Sequence, residues 1–494
     1  MKSYHTLFLL VISTFLFTGC EDYLSKDPIG LLTPDQVDMQ PTNTTVRYAV
    51  SSSYQLLSST LNIIGEWAWN DGTVTRNDFI LQDIASDDMQ KKWNPDGDQA
   101  WMDELNNFSF IASNGGFNGQ WAYNYEGISR ANTAIDYLTN EEMMSKLTLN
   151  AAEIDRLLGE VYFLRAFYYF DLVTNFGGVP LLVKPLTSFE EAYEVAVRAT
   201  AEEVWAQINE DLNSAKSLLP DSRYSHQDEK WRASRGAVIA LQAKVALFNE
   251  NWQEVINHIT TLEATNYYSL NDNYFDSFDV DKEFQEKEVI FCYDHQPAQT
   301  PRRGNGLCAL LGWGFVAPEN SLIEAFEVND PRLFYTVDME LKNVNKLLGT
   351  LNGEFKGDDD APSNKIYIRY ADVILWKAEA LLKTGDSKGA IELINQIRRR
   401  ARNSITADGT YPPEGTLPDR DLNETSSAVI TGWLIHERRV ELAFESHRFR
   451  DLKRWGIADD VLGSRGFQDV HHLYPIPQRE IDKSGGTIVQ NEGY

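Results

Sequence analysis

Residues 151–182 read AAEIDRLLGEVYFLRAFYYFDLVTNFGGVPLL. Within this stretch Ile154, Leu157, Leu158, Val161, Leu164 and Tyr168 recur at intervals of three and four, the spacing of one buried helical face. Gly177-Gly178 and Pro180 then stop the helix. Val204, Ile208, Leu212 and Leu218-Leu219 form a second stripe, ended by Pro220, and Ala237–Phe248 forms a third, rich in small residues that suit close helix packing. Two segments read as helix–turn–helix units. In one, Ala240–Phe248, the turn Asn249-Glu250-Asn251 and Trp252–Ile259 follow in order; in the other, Ala371–Leu382, Thr384-Gly385-Asp386 and Ala390–Arg400. Trp433–Phe449 reads as a further helix. This is the grammar of tetratricopeptide hairpins in a register too loose for a regular solenoid, and it predicts an all-α fold.

The chain has 494 residues, 43% hydrophobic and 24% charged, ordinary values for a globular protein with a sizeable core. Its net charge of −28 argues against nucleic acid, whose phosphates demand Lys and Arg, and against docking on anionic lipid through a basic face. With 12 Trp, 22 Tyr and 24 Phe the chain is rich in aromatic residues.

The N-terminus reads as an export signal. Lys2 supplies a positive start, Leu7–Ile12 and Phe15–Phe17 an apolar run, and Thr18-Gly19 small residues before Cys20. The run is shorter than the roughly 20 residues needed to span a bilayer. Cys20 is therefore predicted as the lipid-attachment site, with Phe17 where such signals usually carry Leu. Residues 21–45 are polar and contain Pro28, Pro34 and Pro41, the composition of a tether. Cys292 and Cys308 remain, and an oxidising exterior would permit them to pair.

Between the helices lie two irregular segments, 62–125 and 266–365, and long irregular stretches in a compact domain are usually functional. The first carries Trp67, Trp69, Trp93, Trp101 and Trp121 among Gly, Asn and Asp. The second carries Arg302-Arg303-Gly304-Asn305, Trp313 and the acidic run Asp358–Asp360. An exposed indole stacks on the flat C–H face of a sugar while Asp, Asn and Arg bind the hydroxyls around its edge. The candidate glycan-binding residues are thus Trp67, Trp69, Asp71, Trp93, Asn94, Trp101, Arg302, Asn305 and Trp313. Trp231, Trp252, Trp376 and Trp433 lie on helical stripes and are assigned to the core.

No sequence pattern supports catalysis. There is no G-x-S-x-G elbow, phosphate-cradling glycine loop or H-E-x-x-H helix, and among 73 acidic residues no pair stands out for glycoside hydrolysis. No cofactor or metal site is predicted: His471-His472 are adjacent rather than four apart, and Asp87-Asp88 and Asp358–Asp360 lack calcium-loop spacing. Arg369, Asp372 and Glu379, with Glu437, Arg438, Glu441, Glu445, Arg448 and Asp451, mix charge signs at helical spacing and read as ion pairs pinning helices together.

Several phrases together resemble one family, the SusD/RagB-like glycan-binding lipoproteins of Bacteroidetes-type bacteria. They include Phe163-Leu164-Arg165-Ala166 through Phe176-Gly177-Gly178-Val179-Pro180-Leu181, Trp121…Asn124…Ile128…Ala131-Asn132, and Tyr367-Ile368-Arg369-Tyr370-Ala371-Asp372-Val373. Glu379-Ala380-Leu381, Asn395-Gln396-Ile397-Arg398, Glu437-Arg438, Glu441-Leu442 and Phe444-Glu445 continue the pattern. Asp451-Leu452-Lys453-Arg454-Trp455, Tyr474-Pro475-Ile476-Pro477 and the terminal Gln490-Asn491-Glu492-Gly493-Tyr494 complete it, with Glu492 where the family usually has proline.

The resemblance implies four tetratricopeptide-like hairpins with a large irregular lobe carrying the ligand site. It also implies a partner, a SusC-like TonB-dependent outer-membrane transporter on which the lipoprotein sits as a lid. Glu21-Asp22 fits the acidic surface-export signal of such lipoproteins. Family members bind oligosaccharides and are not enzymes. The expected organisation is a signal peptide at 1–19, a lipidated tether at 20–45 and one domain at 46–494, divided near 265 and 365 by the irregular lobe. The rival readings are a surface glycan hydrolase and a structural subunit of the transporter that touches no ligand.

Overall fold

The computed structural model describes residues 42–65, 68–91, 99–221, 230–406 and 408–494. Cys20, the signal and most of the tether lie outside the described residues. The first described helix, α1 (Asn43–Tyr54), begins inside the stretch read as tether. Thr42 explains the start: its side chain accepts the Thr45 N–H while the Thr45 hydroxyl accepts that of Thr42, a reciprocal cap.

The residues quoted at the outset form α3 (Ala151–Phe176), preceded by α2 (Gly115–Thr139) and followed by α4 (Ala201–Leu218). Asn150 caps α3 by accepting the Glu153 N–H, and Gly177, at φ +73°, ends it where a side chain would be strained. α3 lies between α2 and α4, with α1 across α2 and α3. The predicted hairpins follow as α5 (Arg235–Phe248) with α6 (Trp252–Ala264), and α7 (Tyr370–Lys383) with α8 (Ser387–Arg402). α6 packs on α7, which joins the two hairpins, and α9 (Ser427–Glu441) closes over α7 and α8. A hydrophobic cluster drawing on Val161, Leu164 and Tyr168 of α3, Ile208 of α4, Leu241 of α5 and Ile259 of α6 runs on to Trp376 and Tyr474. Of the tryptophans assigned to the core, Trp376 is 1% exposed, whereas Trp231, Trp252 and Trp433 are half-buried at its edge.

The long helix α2 falls partly in a segment read as irregular. Its first turns carry Gly115, Gly116 and Gly119, which look like breakers in sequence. In the fold they make room: a Cβ on Gly119 would lie 1.9 Å from the carbonyl oxygen of Gly72, so the loop before it can rest directly on the helix.

The helix expected over Trp433–Phe449 is broken. α9 stops at Glu441, Phe444 (φ +67°) and Ser446 (φ +62°) turn left-handed, and α10 (Arg448–Arg454) starts afresh. The freed carbonyls are captured by distant cations. Lys346 Nζ donates to Glu441 O (3.0 Å) and Ala443 O (3.1 Å), and Arg369 donates to Glu441 O (2.7 Å). Positive charge at a helix C-terminus complements the macrodipole.

The charged residues of these helices form buried ion-pair clusters. Arg369 reaches Glu288 (2.6 Å), Glu441 (2.7 Å) and Glu445 (2.7 Å); Arg332 reaches Asp330 (2.8 Å) and Glu437 (2.6 Å). Arg438 joins Asp372 and Asp451, each at 2.8 Å, and Arg454 joins Glu379 at 2.5 Å. Burial alone would raise the pKa of Glu441, yet Arg400, Arg369 and Arg332 together bring it down to about 2. Asp87 and Asp88, weighed as cation ligands, are instead taken up by Arg448 (2.7 Å) and Arg439 (2.7 Å).

The irregular segments contain short strands. β1 (Met89–Lys91) pairs antiparallel with β3 (Val316–Pro318), so the two segments are joined to each other. β2 (Val289–Tyr293) pairs with β6 (Lys365–Arg369), which leads into α7, and β4 (Val337–Asp338) pairs with β5 (Asn343–Val344). Cys292 and Cys308 are both buried, and no disulfide joins them. No helix among the described residues is long and apolar enough to cross a membrane.

Candidate functional site

Trp69 and Trp313, one from each irregular segment, meet at the surface. Their ring centroids are 6.1 Å apart at an interplanar angle of 59°, and Phe315 completes the group, stacked on Trp69 at 5.9 Å and 26° and edge-on to Trp313 at 6.4 Å. Trp313 is 45% exposed, and Trp69 and Phe315 are half-buried, so the group offers tilted aromatic faces to solvent on a packed base.

Each ring is held from below. Gly72 N–H donates to Trp69 O (3.0 Å), and the loop lies on the glycine face of α2, where Asn77 donates to Gly72 O at 2.7 Å. Trp313 ends the short helix Leu307–Gly312, its N–H donating to Ala309 O at 2.8 Å. Gly357 rests near the Trp313 ring, and its N–H donates to Cys308 O at 3.0 Å. Lys91, the last residue of β1, holds its Nζ 6.0 Å from the Phe315 centroid, a cation–π distance.

A second set of bonds fastens the two segments beneath the rings. Thr60 Oγ1 donates to Gly304 O (2.8 Å), and Gly306 N–H to Ser59 O (3.1 Å). Ser59 N–H donates to His295 Nε2 (3.1 Å), which fixes Nε2 as an acceptor and places the ring proton on Nδ1, toward Ser363 O at 3.0 Å. Burial, with Lys365 nearby, pushes His295 down to about 3, so the imidazole stays neutral in this bridge.

The remaining candidates divide. Asp71 is exposed on the loop that carries Trp69. Arg302 is exposed and paired with Asp359, two positions beyond Gly357, which places it in the same loop cluster as Trp313. Trp101 and Asn305 are corrected to framework roles. Trp101 is 7% exposed, its indole N–H spent on Gln99 (2.9 Å); Asn305 is 2% exposed, its amide donating to Ser363 O and Oγ, each at 3.0 Å. Trp67, Trp93 and Asn94 lie outside the described residues. Asp360 is half-buried, and its carboxylate accepts the N–H groups of Ala298 and Gly304, each at 2.8 Å, shaping the Arg302 loop. Phe315 was missed in sequence, although its position two residues after Trp313 across Gly314 was a usable signal.

Two other places need mention. A cavity of about 370 Å³ lies away from these rings, between α2, residues 180–196 and the C-terminal segment. Its wall includes Leu182, Leu186, Val195 and Ile488, while its one indole, Trp121, is 4% exposed and offers no open face. A sugar needs a platform with hydroxyl partners, and the Trp69–Trp313 face has the better chemistry. Asp459, Asp469 and His472 each bring one ligand atom within 4.8 Å of the others, the single such group among the described residues, and His471 is not part of it.

Comparison with known proteins agrees with this architecture. The SusD family matches residues 336–494, and the family described as starch-binding associating with outer membrane matches residues 35–247. SusD-like protein P2 of Formosa agariphila is 25% identical over 100% of both chains, and SusD-like protein P38 of the same organism 26% identical over 97% of each. The solved structure of a laminarin binding SusD-like protein shares the fold at a TM-score of 0.74 and 26% identity, covering 92% of this chain and 100% of that one. Two family matches that together take in most of the helical frame, and relatives aligned from end to end, show that the chain carries SusD/RagB-family domains and is similar along its length to SusD-like proteins.

Proposed function

We propose that this protein is a cell-surface lipoprotein that captures oligosaccharides on the face made by Trp69, Trp313 and Phe315 and delivers them to a SusC-like TonB-dependent transporter. The observation that carries the reading is the meeting of Trp69 and Trp313 at 6.1 Å, with Phe315 beneath and Asp71 and Arg302 on the neighbouring loops. Tilted rings suit a sugar chain that curves, since each ring stacks on one residue at its own angle. The similarity to a laminarin binding SusD-like protein makes a β-glucan the first ligand to try. Cys20 would tether the protein by acyl chains, keeping a binding lid near its transporter.

Capture followed by release suits affinities between millimolar and micromolar, about −4 to −8 kcal/mol. The test is an affinity-gel screen of the mature protein on laminarin, starch and other glycans, with Trp69→Ala, Trp313→Ala and Phe315→Ala alongside. Retardation by a glycan, reduced by these substitutions while the melting temperature holds, supports the proposal. Retardation that all three variants keep would move the site elsewhere. Glycan shortening abolished by a carboxylate substitution would make the protein a hydrolase, and no retention by any glycan would favour a purely structural transporter subunit. Cys20→Ala is expected to leave glycan binding in vitro unchanged and to impair uptake in cells.

A further inference from the structure

The loop that follows α10 brings Asp459, Asp469 and His472 together, one ligand atom of each within 4.8 Å of the others and His472 Nε2 4.0 Å from Asp459. Asp459 lies on the short helix Ala458–Leu462, and Asp469 and His472 are the first and last residues of a single 3-10 turn. Residues three apart eclipse in such a turn, so both side chains stand on one side of it. The turn is held by its neighbour. His471 is buried, its ring 5.4 Å from Phe108 and 5.1 Å from Phe110, and its Nδ1 accepts the Gln468 N–H at 2.9 Å. Phe467, also buried, sets its ring edge-on to His472 at 5.3 Å, and Lys453 of α10 donates to His472 O at 3.0 Å. The backbone is thus anchored while the three donor side chains reach solvent.

Charge and donor type decide what fits there. Elsewhere the chain meets neighbouring acids with arginine, as Arg448 and Arg439 meet Asp87 and Asp88. Among the described residues neither Asp459 nor Asp469 is paired with Lys or Arg, and the ion-pair partner within reach is the His472 imidazole, a cation only when protonated. A neutral imidazole is instead a metal donor. Calcium and magnesium take oxygen ligands, whereas zinc accepts histidine and carboxylate together. Zinc bonds of about 2.0–2.2 Å place neighbouring donor atoms about 3.4 Å apart. Closing the His472–Asp459 separation from 4.0 Å to that distance takes a small rotation of side chains already open to solvent.

We infer that Asp459, Asp469 and His472 bind one zinc ion through two carboxylate oxygens and an imidazole nitrogen, with water as the fourth ligand. The two carboxylates balance the charge of the ion. The bonds clip the short helix after α10 to the turn that leads into the C-terminal segment, and the water-filled position makes the site weaker than a closed one with four protein ligands.

The test is calorimetry of the full mature protein, made without a histidine tag and stripped with EDTA, titrated with zinc chloride and separately with calcium chloride. His472→Ala and Asp469→Asn are measured alongside the wild type. The wild type is expected to bind one zinc ion per chain and calcium far more weakly, and each variant to lose about tenfold or more in zinc affinity. Melting in EDTA should be the same for all three proteins, and zinc should raise it in the wild type alone. A zinc-soaked crystal should show an anomalous peak among the three side chains. Absence of zinc binding, undiminished binding in either variant, calcium held as tightly as zinc, or a peak only at other residues would each overturn the inference. Should a variant fail to fold, the soak of the wild type decides.

Discussion

Around Glu441 both carboxylate oxygens meet guanidinium groups, from Arg369 and Arg400 on one and Arg332 on the other, and nothing is left for solvent. At the Trp69–Trp313 face the rings touch one another yet keep part of their surface open, and the neighbouring Arg302 is exposed with a single acidic partner. Polar groups closed upon each other specify geometry; open ones have binding capacity to spare. The difference separates two kinds of conspicuous residue, the buried charges that build the frame and the half-open aromatics proposed for recognition.

Substitutions can break that separation. The largest effect is expected from Glu441→Ala, which would leave Arg369, Arg332 and Arg400 buried with too little opposing charge. A loss of about 3–5 kcal/mol is the usual scale for removing one partner of a buried ion pair, and a thermal melt measures it. An unchanged melting temperature would show that the network is ornamental.

Acid should act on the same region. Burial would raise Asp171, but Arg450 and Arg76 bring it down to about 2, as the arginines do for Glu441. Both carboxylates are easier to ionise folded than unfolded. Their contribution is therefore complete above about pH 4.5 and is lost as pH falls toward about 2. Urea titrations across that window should show the midpoint falling steadily, and less steeply in a Glu441→Gln variant that still folds.

Trp313→Ala tests the other side of the comparison. Glycan affinity is expected to fall about tenfold, or ~1.4 kcal/mol, with melting nearly unchanged because the ring is already 45% exposed. A large loss of stability with full binding would reverse the assignment. The smallest expected effect is that of Arg302→Ala. Its pair with Asp359 is exposed and screened by solvent, so it adds little to stability, and a few-fold loss of glycan affinity by calorimetry would mark it as a hydroxyl partner.

Much of the frame was legible in sequence because its signals are local. The stripe from Ile154 to Tyr168, the stop at Gly177 and the turn at Thr384-Gly385-Asp386 are each decided within a few residues. The opposite signs at helical spacing between Glu437 and Asp451 were enough to assign ion pairs. The break after Glu441 was not legible, because Lys346 and Arg369, which bind the freed carbonyls, come from distant parts of the chain. α2 was obscured for a related reason: Gly115 and Gly119 serve an approach by residues 70–72 that no local pattern announces. At the site, composition marked Trp69 and Trp313 but said nothing of their meeting. It equally marked Trp101 and Asn305, whose polar atoms turn inward to Gln99 and Ser363. Exposure is a tertiary property, and residue type alone does not carry it.

The three-residue ladder between Met89–Lys91 and Val316–Pro318 has a consequence for when recognition arises during folding. Its strands are separated by most of the helical frame, so closing them early would cost the entropy of a very long loop. Contacts of such high sequence separation form late. The aromatic face, with one ring on each side of that ladder, therefore assembles only after the hairpins between have docked. A chain that is incomplete or misfolded carries the same tryptophans yet has no platform, which would confine the proposed sugar capture to molecules whose folding is finished.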